Sequence, residues 1–495
     1  MARKNHWYSS LKPPLDPEAA AEARIIVEAF ENRKEHPIDI GGYPDDAEED
    51  FELHGGGIGF MYAKGRILAR EQYLTVMGMT PDVPEHVRIS RPHGVLEIIS
   101  EFHGVQNIDI TRVVGDIMLL DLNPPRDGQS PPPEPPDVLE LIEEIDNRIG
   151  PGIAAPDHIL TAAQHVTPCS ATEPEQVFPT AGPYPGLCRD GGSGVRIYQA
   201  DTGLVPEAAE TFPWLAGVYG DDDPRAGNVA GSTIEPYGGH GTFVAGVMRC
   251  MAPQAQIKVA NIFADAGSAC ESEVAKRLHK AFGFGFEILH ITASCLTRKN
   301  LPPLALEGFL KLLRPYKGVL CVAEAGNNYT QRPAWPGAFP DVLSVGALAT
   351  DWRHRADFSN HGGWVDVYAP GEKLINAFGS GTYTCQVPPH VGQVRTFSGL
   401  AQWSGTSFSA PIVTGLIAAR MARRGESARE AAAALMAKAR AQTIPGVGPA
   451  LFPCCDDDDE HCGRCGGCGG CGRCGRCGDG GCGGATGKGC GCRDR

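Results

Sequence analysis

The chain has 495 residues, 42% of them hydrophobic and 21% charged, the balance of a soluble globular protein with room for two or three domains. Its formal net charge of -15 argues against a surface for nucleic acid or anionic membrane, both of which call for basic patches. No apolar run reaches the roughly 18 residues of a membrane span, and no Gly-x-x-x-x-Gly-Lys-[Ser/Thr] phosphate loop is present.

The opening segment, Met1 to Pro17, is polar and lacks the apolar stretch of a secretory signal, so a cytoplasmic protein with reduced thiols is expected. An Ala- and Glu-rich helix is predicted from Pro17 to Arg33, and the acidic run Asp45 to Glu52 reads as a solvated loop. Gly65 to Met79 and Thr111 to Leu122 suit strands. A proline-rich linker occupies 123–137, extended and semi-rigid by composition. Val138 to Arg148 then reads as a helix, with apolar positions at Val138, Leu139, Leu141, Ile142 and Ile145. Ile153 to Leu160 is expected to be the next strand. Residues 1–163 therefore form an N-terminal α+β region, and 164–193 are a connecting segment.

From Gly194 short apolar strands alternate with helices. The strands are Val195 to Ala200, Ile257 to Ile262, Glu287 to Thr292, Val319 to Ala323 and Val342 to Ala347. The helices are Thr242 to Cys250, Ser272 to Phe282 and Leu304 to Leu313, with Ser407 to Arg423 and Glu426 to Gln442 closing the domain. This alternation calls for an α/β fold: a mostly parallel twisted sheet with helices on both faces, over 194–449. In such sheets reactive groups gather beyond the carboxyl ends of the strands, where Asp201 and Asn327 stand.

Of the 18 cysteines, Cys169, Cys188, Cys250, Cys270, Cys295, Cys321 and Cys385 are scattered through the body, several in apolar stretches that suit buried reduced thiols. The rest crowd a glycine-rich tail, 450–495, with Cys462, Cys465, Cys468, Cys471, Cys474 and Cys477 at every third position. Each adjacent pair is a CxxC, the spacing of thiolate metal sites, so Zn or Cu binding is one reading. A low-complexity tail without selected ligands is the other.

Three segments carry chemistry. Asp201-Thr202-Gly203 ends a strand, His240-Gly241-Thr242 opens a helix, and Gly405-Thr406-Ser407 opens another. A serine hydroxyl becomes nucleophilic only when an imidazole takes its proton, and the imidazole needs a carboxylate to fix its tautomer. Read singly, each has a plainer account: a strand-to-turn aspartate, a turn histidine and a helix-capping serine. Together and in this order, Asp201-Thr202-Gly203, His240-Gly241-Thr242-Phe243-Val244-Ala245-Gly246 and Gly405-Thr406-Ser407-Phe408-Ser409-Ala410-Pro411 resemble the subtilisin-like serine peptidases (subtilases).

The resemblance implies an endopeptidase working through an acyl-enzyme on Ser407, with His240 as base and Asp201 orienting it. It also implies an oxyanion hole from Asn327 in Ala323-Glu324-Ala325-Gly326-Asn327, and an extended polypeptide substrate bound along Thr292, Ala293 and Ser294. Three positions depart from the family's commonest pattern: Phe243; Glu324, which replaces a small residue and reads either as a harmless exchange or as a carboxylate near the cleft; and Ser294, which stands where glycine is usual. Asp221, Asp222 and Asp223 suit either a solvated loop or attraction of basic substrate residues. The N-terminal region resembles a folding-assistant prodomain that docks on the peptidase domain, an unrelated α+β domain being the alternative. The chemistry requires no cofactor; a structural calcium ion is common in the family, but no acidic cluster here has ligand spacing for one. The acid-acting sedolisins share Gly-Thr-Ser, yet they use a carboxylic base and an oxyanion aspartate, against His240 and Asn327. A non-catalytic peptide-binding scaffold is the remaining rival.

Overall fold

The computed structural model describes residues 17–33, 37–41, 59–75, 94–124, 134–162, 172–178, 181–186, 188, 191–264 and 266–453. The acidic run 45–52, much of the proline-rich linker and the cysteine repeat lie outside the described residues.

The N-terminal part contains α1 (Pro17–Arg33), β1 (Ile38–Gly41), β2 (Phe60–Arg70), α2 (Val95–Glu101), β3 (Ile108–Val114), β4 (Ile117–Leu122), α3 (Val138–Arg148) and β5 (Ala154–Thr161). The second strand starts and ends earlier than its expected 65–79. The stretch expected as one strand over 111–122 is a hairpin, turning at Gly115-Asp116 so that β3 and β4 pair antiparallel. Asp137 caps α3 by accepting from the Leu139 and Glu140 amides at 2.9 and 3.1 Å. The apolar face predicted for α3 (Val138, Leu141, Ile142, Ile145) is buried against Ile67, Leu120 and Leu122 of the sheet.

The second part continues with β6 (Arg196–Asp201), α4 (Ala208–Thr211), β7 (Tyr219–Gly220), β8 (Asn228–Ile234), α5 (His240–Met251), β9 (Gln256–Asn261), β10 (Ser268–Cys270), α6 (Glu271–Ala281), β11 (Ile288–Ile291), α7 (Leu304–Leu313) and β12 (Leu320–Glu324). It closes with β13 (Val342–Leu348), β14 (Val367–Pro370), β15 (Leu374–Thr384), β16 (Val394–Trp403), α8 (Thr406–Arg424) and α9 (Ala428–Ala441). Seven strands in the order β14-β13-β12-β11-β6-β9-β7 form one sheet, parallel at every pairing. α5, α8 and α9 bury Val244, Val247, Ile412, Val413 and Leu435 on one face. α6 and α7 bury Val274, Leu278, Leu306 and Phe309 on the other. This is the α/β architecture that the alternation called for, with β8, β15 and β16 added as a three-stranded sheet.

The two parts are joined by pairing as well as by chain. β5 lies antiparallel to β10, so the N-terminal sheet runs β10-β5-β2-β4-β3. Its face carrying Leu68, Val113, Val114, Ile117 and Leu119 packs on α6 and α7. Polar groups fix the junction: Asp157 accepts from Ser272 N at 2.9 Å and Ser272 Oγ at 2.7 Å in the first turn of α6. There the helix's unpaired amides and dipole favour a carboxylate. Among the described residues, no helix is long and apolar enough to cross a membrane, and Cys250, Cys295, Cys321 and Cys385 carry buried thiols.

Candidate active site

The strand order explains why the chemistry converges. β6, β11 and β12 are neighbours, so their carboxyl ends bring Asp201, Thr292 and Glu324 side by side along one edge of the sheet. His240 arrives from the first residue of α5 and Ser407 from the first turn of α8. These helices pack on the same face of the sheet, which fixes the two side chains relative to Asp201.

His240 Nδ1 lies 2.8 Å from Asp201 Oδ1, and both residues are fully buried. Burial alone would lower the imidazole's pKa. The charge and hydrogen bond of Asp201, with Glu324 and Asp223 behind it, outweigh burial and hold it above its ordinary value. Burial would likewise raise Asp201, but the charge and hydrogen bond of His240, the Thr292 hydroxyl and the Thr202 amide hold it low. The carboxylate is further secured at Oδ2 by Thr292 Oγ1 at 2.6 Å and Gln199 Nε2 at 3.0 Å. Gln199 also donates to Gly241 O at 2.9 Å, tying the aspartate strand to the histidine helix. That tight approach requires glycine, since a Cβ at Gly241 would sit 2.2 Å from Gly203 O.

Phe243, the departure in the histidine segment, packs its ring 4.5 Å from Phe408 and 5.9 Å from Trp403. Those two rings lie 5.4 and 5.5 Å from the His240 imidazole, so Phe243 completes an aromatic wall behind the histidine. Of the three aspartates at 221–223, Asp223 is buried and faces inward. It accepts from Thr202 Oγ1 at 3.0 Å and Gly239 N at 2.8 Å, bracing the turns that carry Asp201 and His240.

Two polar atoms at the centre of this arrangement, His240 Nε2 and Asn327 Nδ2, are buried without a hydrogen-bond partner among the described residues. Asn327 is oriented by its other end: its Oδ1 accepts from Thr406 N at 2.8 Å and Thr406 Oγ1 at 2.9 Å. The Ser407 amide lies in the first turn of α8, where backbone N–H groups have no intrahelical acceptor.

The Ser407 hydroxyl is turned toward Glu324, to which it donates, and lies 3.1 Å from Ala162 O. Glu324 is wholly enclosed; burial raises its carboxyl to about 7, although hydrogen bonds from Ser407, Ser294 and Thr406 favour the ionised form. The Ala162 contact shows how the end of β5 lies. Thr161 and Ser294 exchange two backbone hydrogen bonds of 3.0 Å, and Ala162 N donates to Gly267 O at 2.7 Å. The chain thus runs as an extended strand between two edges, up to the serine. Beyond 163–171 it is described again at Thr172, whose carbonyl accepts from Trp403 Nε1, and Glu175 pairs with Gln402.

Of the residues expected to bind substrate, Ser294 presents its backbone to this strand. Thr292 donates its hydroxyl to Asp201, with Ala200 O a neighbour at 3.0 Å, and Ala293 is packed in the core. Gln199 and the inward turn of Asp223 were not foreseen. Gln199 reads as one more residue of a buried strand, and only the parallel register reveals that it faces His240. No group of three or more metal-ligating side chains occurs among the described residues.

Residues 192–451 match the family model described as the subtilase family. An intracellular serine protease of Paenibacillus polymyxa is 27% identical over 46% of this chain and 66% of its own length. A thermophilic serine proteinase of Bacillus sp. (strain AK1) is 29% identical over 52% of this chain and 59% of its own. The chain therefore spans about three fifths to two thirds of these relatives. Among solved structures, fervidolysin from Fervidobacterium pennivorans, a keratinolytic enzyme related to subtilisin, aligns over 79% of this chain and 60% of its own, at 17% identity and a TM-score of 0.49. With the family model covering more than half its length, the chain belongs to the subtilase family.

Proposed function

We propose that this protein is a serine endopeptidase whose first substrate is its own chain, cut immediately beyond β5. The observation that carries this reading is the seating of Thr161-Ala162 between Ser294 and Gly267, with the Ala162 carbonyl on Ser407 Oγ. Main-chain pairing of this kind selects an extended polypeptide and is indifferent to most side chains.

In the proposed reaction Ser407 turns from Glu324 to His240 Nε2, gives up its proton there, and attacks the scissile carbonyl. Asp201 holds the imidazole through Nδ1 and stabilises the imidazolium. The oxyanion is received by Asn327 Nδ2 and the Ser407 amide. His240 then returns the proton to the leaving amine, and water resolves the acyl-enzyme by the same steps. After its own cleavage the N-terminal α+β region acts as a bound partner on α6 and α7, and the buried thiols suit a reducing, cytoplasmic setting.

Labelling with a fluorophosphonate probe tests the nucleophile: wild type should label and Ser407→Ala should not. Amino-terminal sequencing should then find a new terminus within 163–171 in wild type only. A wild-type protein that neither labels nor shortens would end the proposal.

A further inference from the structure

The walls on either side of the nucleophile carry an unusual connection. Thr161 is paired with Ser294 in antiparallel register, so the next residues of a bound chain run back along Ala293 and Thr292 toward Ser407. At the point where this chain reaches Ser407, the neighbouring walls are segment 292–294, along which it is paired, and segment 324–327, whose Glu324 touches the serine. Across that gap Ser294 Oγ donates to Glu324 Oε1 at 3.2 Å. Glu324 Oε2 is held from the other side by Thr406 Oγ1 at 3.3 Å and by Ser407 Oγ. The walls are close: at Gly326 (φ +87°) an added Cβ would meet Ser294 Oγ at 3.1 Å.

On the reading that Ser407 is the nucleophile, we infer that Ser294 and Glu324 form a polar bar across the specificity pocket. The bar restricts the enzyme to substrates with glycine, alanine or serine on the acyl side of the scissile bond. A larger side chain would have to displace a fully buried carboxyl from the Ser294, Thr406 and Ser407 hydroxyls, a polar penalty added to the steric one. A cationic side chain gains little, because both carboxyl oxygens are already engaged and burial keeps the acid neutral up to about pH 7. The chain's own seated residue agrees: Ala162, whose carbonyl meets Ser407 Oγ, carries a single methyl, and the next residue in the sequence is also alanine.

A peptide library varied only at the acyl-side position tests this on enzyme whose active fraction has been counted by fluorophosphonate titration of a separate aliquot. Cleavage after Ala, Gly or Ser should exceed cleavage after Phe, Leu or Lys by about 10–100-fold in kcat/KM, the range that pocket fit supplies. The double variant Ser294→Gly/Glu324→Ala should gain cleavage after Leu and Phe. Wild-type preference for Phe, Leu, Lys or Arg, or an unchanged profile in the double variant, would overturn the inference. Absent labelling would instead count against the nucleophile itself. Should the double variant not mature, Ala162→Phe and Ala163→Phe in the wild-type chain give a second measure. At least one should slow release of the N-terminal region tenfold or more; normal processing of both would overturn the inference.

Discussion

Ser407 donates its hydroxyl to Glu324 and not to His240, whose Nε2 has no hydrogen-bond partner among the described residues. Two acceptors therefore compete for one proton, and the protonation of Glu324 biases the contest. An ionised carboxylate is the stronger acceptor and also supports a positive charge on His240.

The acid limb of the pH–kcat/KM profile follows from this pair. Glu324→Gln keeps the side chain's size and removes its charge, so the His240 imidazole loses one of the influences that raise its pKa. Below that pKa the imidazolium cannot act as base. The acid limb should therefore move to lower pH in the variant, measured on a peptide ester with alanine on the acyl side. A limb that stays in place or moves upward would remove Glu324 from the electrostatics of the triad.

Stability should respond to the same carboxyl with a definite sign. In the unfolded chain it ionises near its ordinary 4.5, whereas in the folded protein it keeps its proton up to about 7. Between those values the folded state binds more protons than the unfolded one, so stability falls as pH rises and levels off above about 7. Glu324→Gln, compared in a Ser407→Ala background to prevent self-digestion, should be more stable by roughly 1–3 kcal/mol at pH 8. The gain should vanish near pH 4. Thermal melts across that range read it directly.

Thr292→Val isolates the support beneath Asp201. The hydroxyl donates 2.6 Å to a buried carboxylate, and a hydrogen bond to a charged group contributes about 1.5–3 kcal/mol. If that stabilisation is felt mainly once His240 is protonated, kcat should fall about 10–100-fold with KM little changed. Gln199→Leu, which removes the 3.0 Å donor and the tie to Gly241, should lower kcat as well. Unaltered kcat in Thr292→Val would mean that the aspartate is held by its remaining partners alone.

The positions of the candidate site's segments could be read in advance because they lie at the ends of regular elements, whereas their roles rested on the family resemblance. The strand ending at Asp201 and the helices opening at His240 and Ser407 are set by local apolar periodicity. The β15–β16 hairpin went unseen because Gly379, Gly381 and Gly399 interrupt its apolar alternation, and its burial comes from partners distant in sequence. The partners of Glu324 were illegible for another reason. The strand order that sets β12 beside β11 decides what its carboxyl meets, and that order is a long-range property. Phe243 was likewise a departure until Trp403 and Phe408 came to lie against it.

The cysteine-rich tail offers a test independent of proteolysis. If Cys462, Cys465, Cys468, Cys471, Cys474 and Cys477 serve as soft thiolate ligands, Zn or Cu should copurify with the full chain. Native mass spectrometry should show the metal released on acidification, since thiolates must be deprotonated to bind. A chain ending at Pro453 should carry none. Metal-free protein from zinc- or copper-supplemented medium would leave the tail as low-complexity sequence.

Asn327→Ala separates binding from transition-state stabilisation. Its Nδ2 is buried without a partner among the described residues, while its Oδ1 is anchored to Thr406, so under the proposed mechanism the amide is held in place before an oxyanion forms. A donor that meets its acceptor only as charge develops lowers the barrier without tightening the ground state. Removal of the corresponding donor in subtilisin costs about 10²–10³ in kcat, and a loss of that order with little change in KM is expected here. Thr406→Val tests the anchor, since it removes the hydroxyl that holds Oδ1 and leaves the amide donor in place. It should give a smaller loss of the same kind, in kcat rather than in KM. Equal losses in kcat and affinity for Asn327→Ala would instead assign the amide to ground-state binding of the peptide.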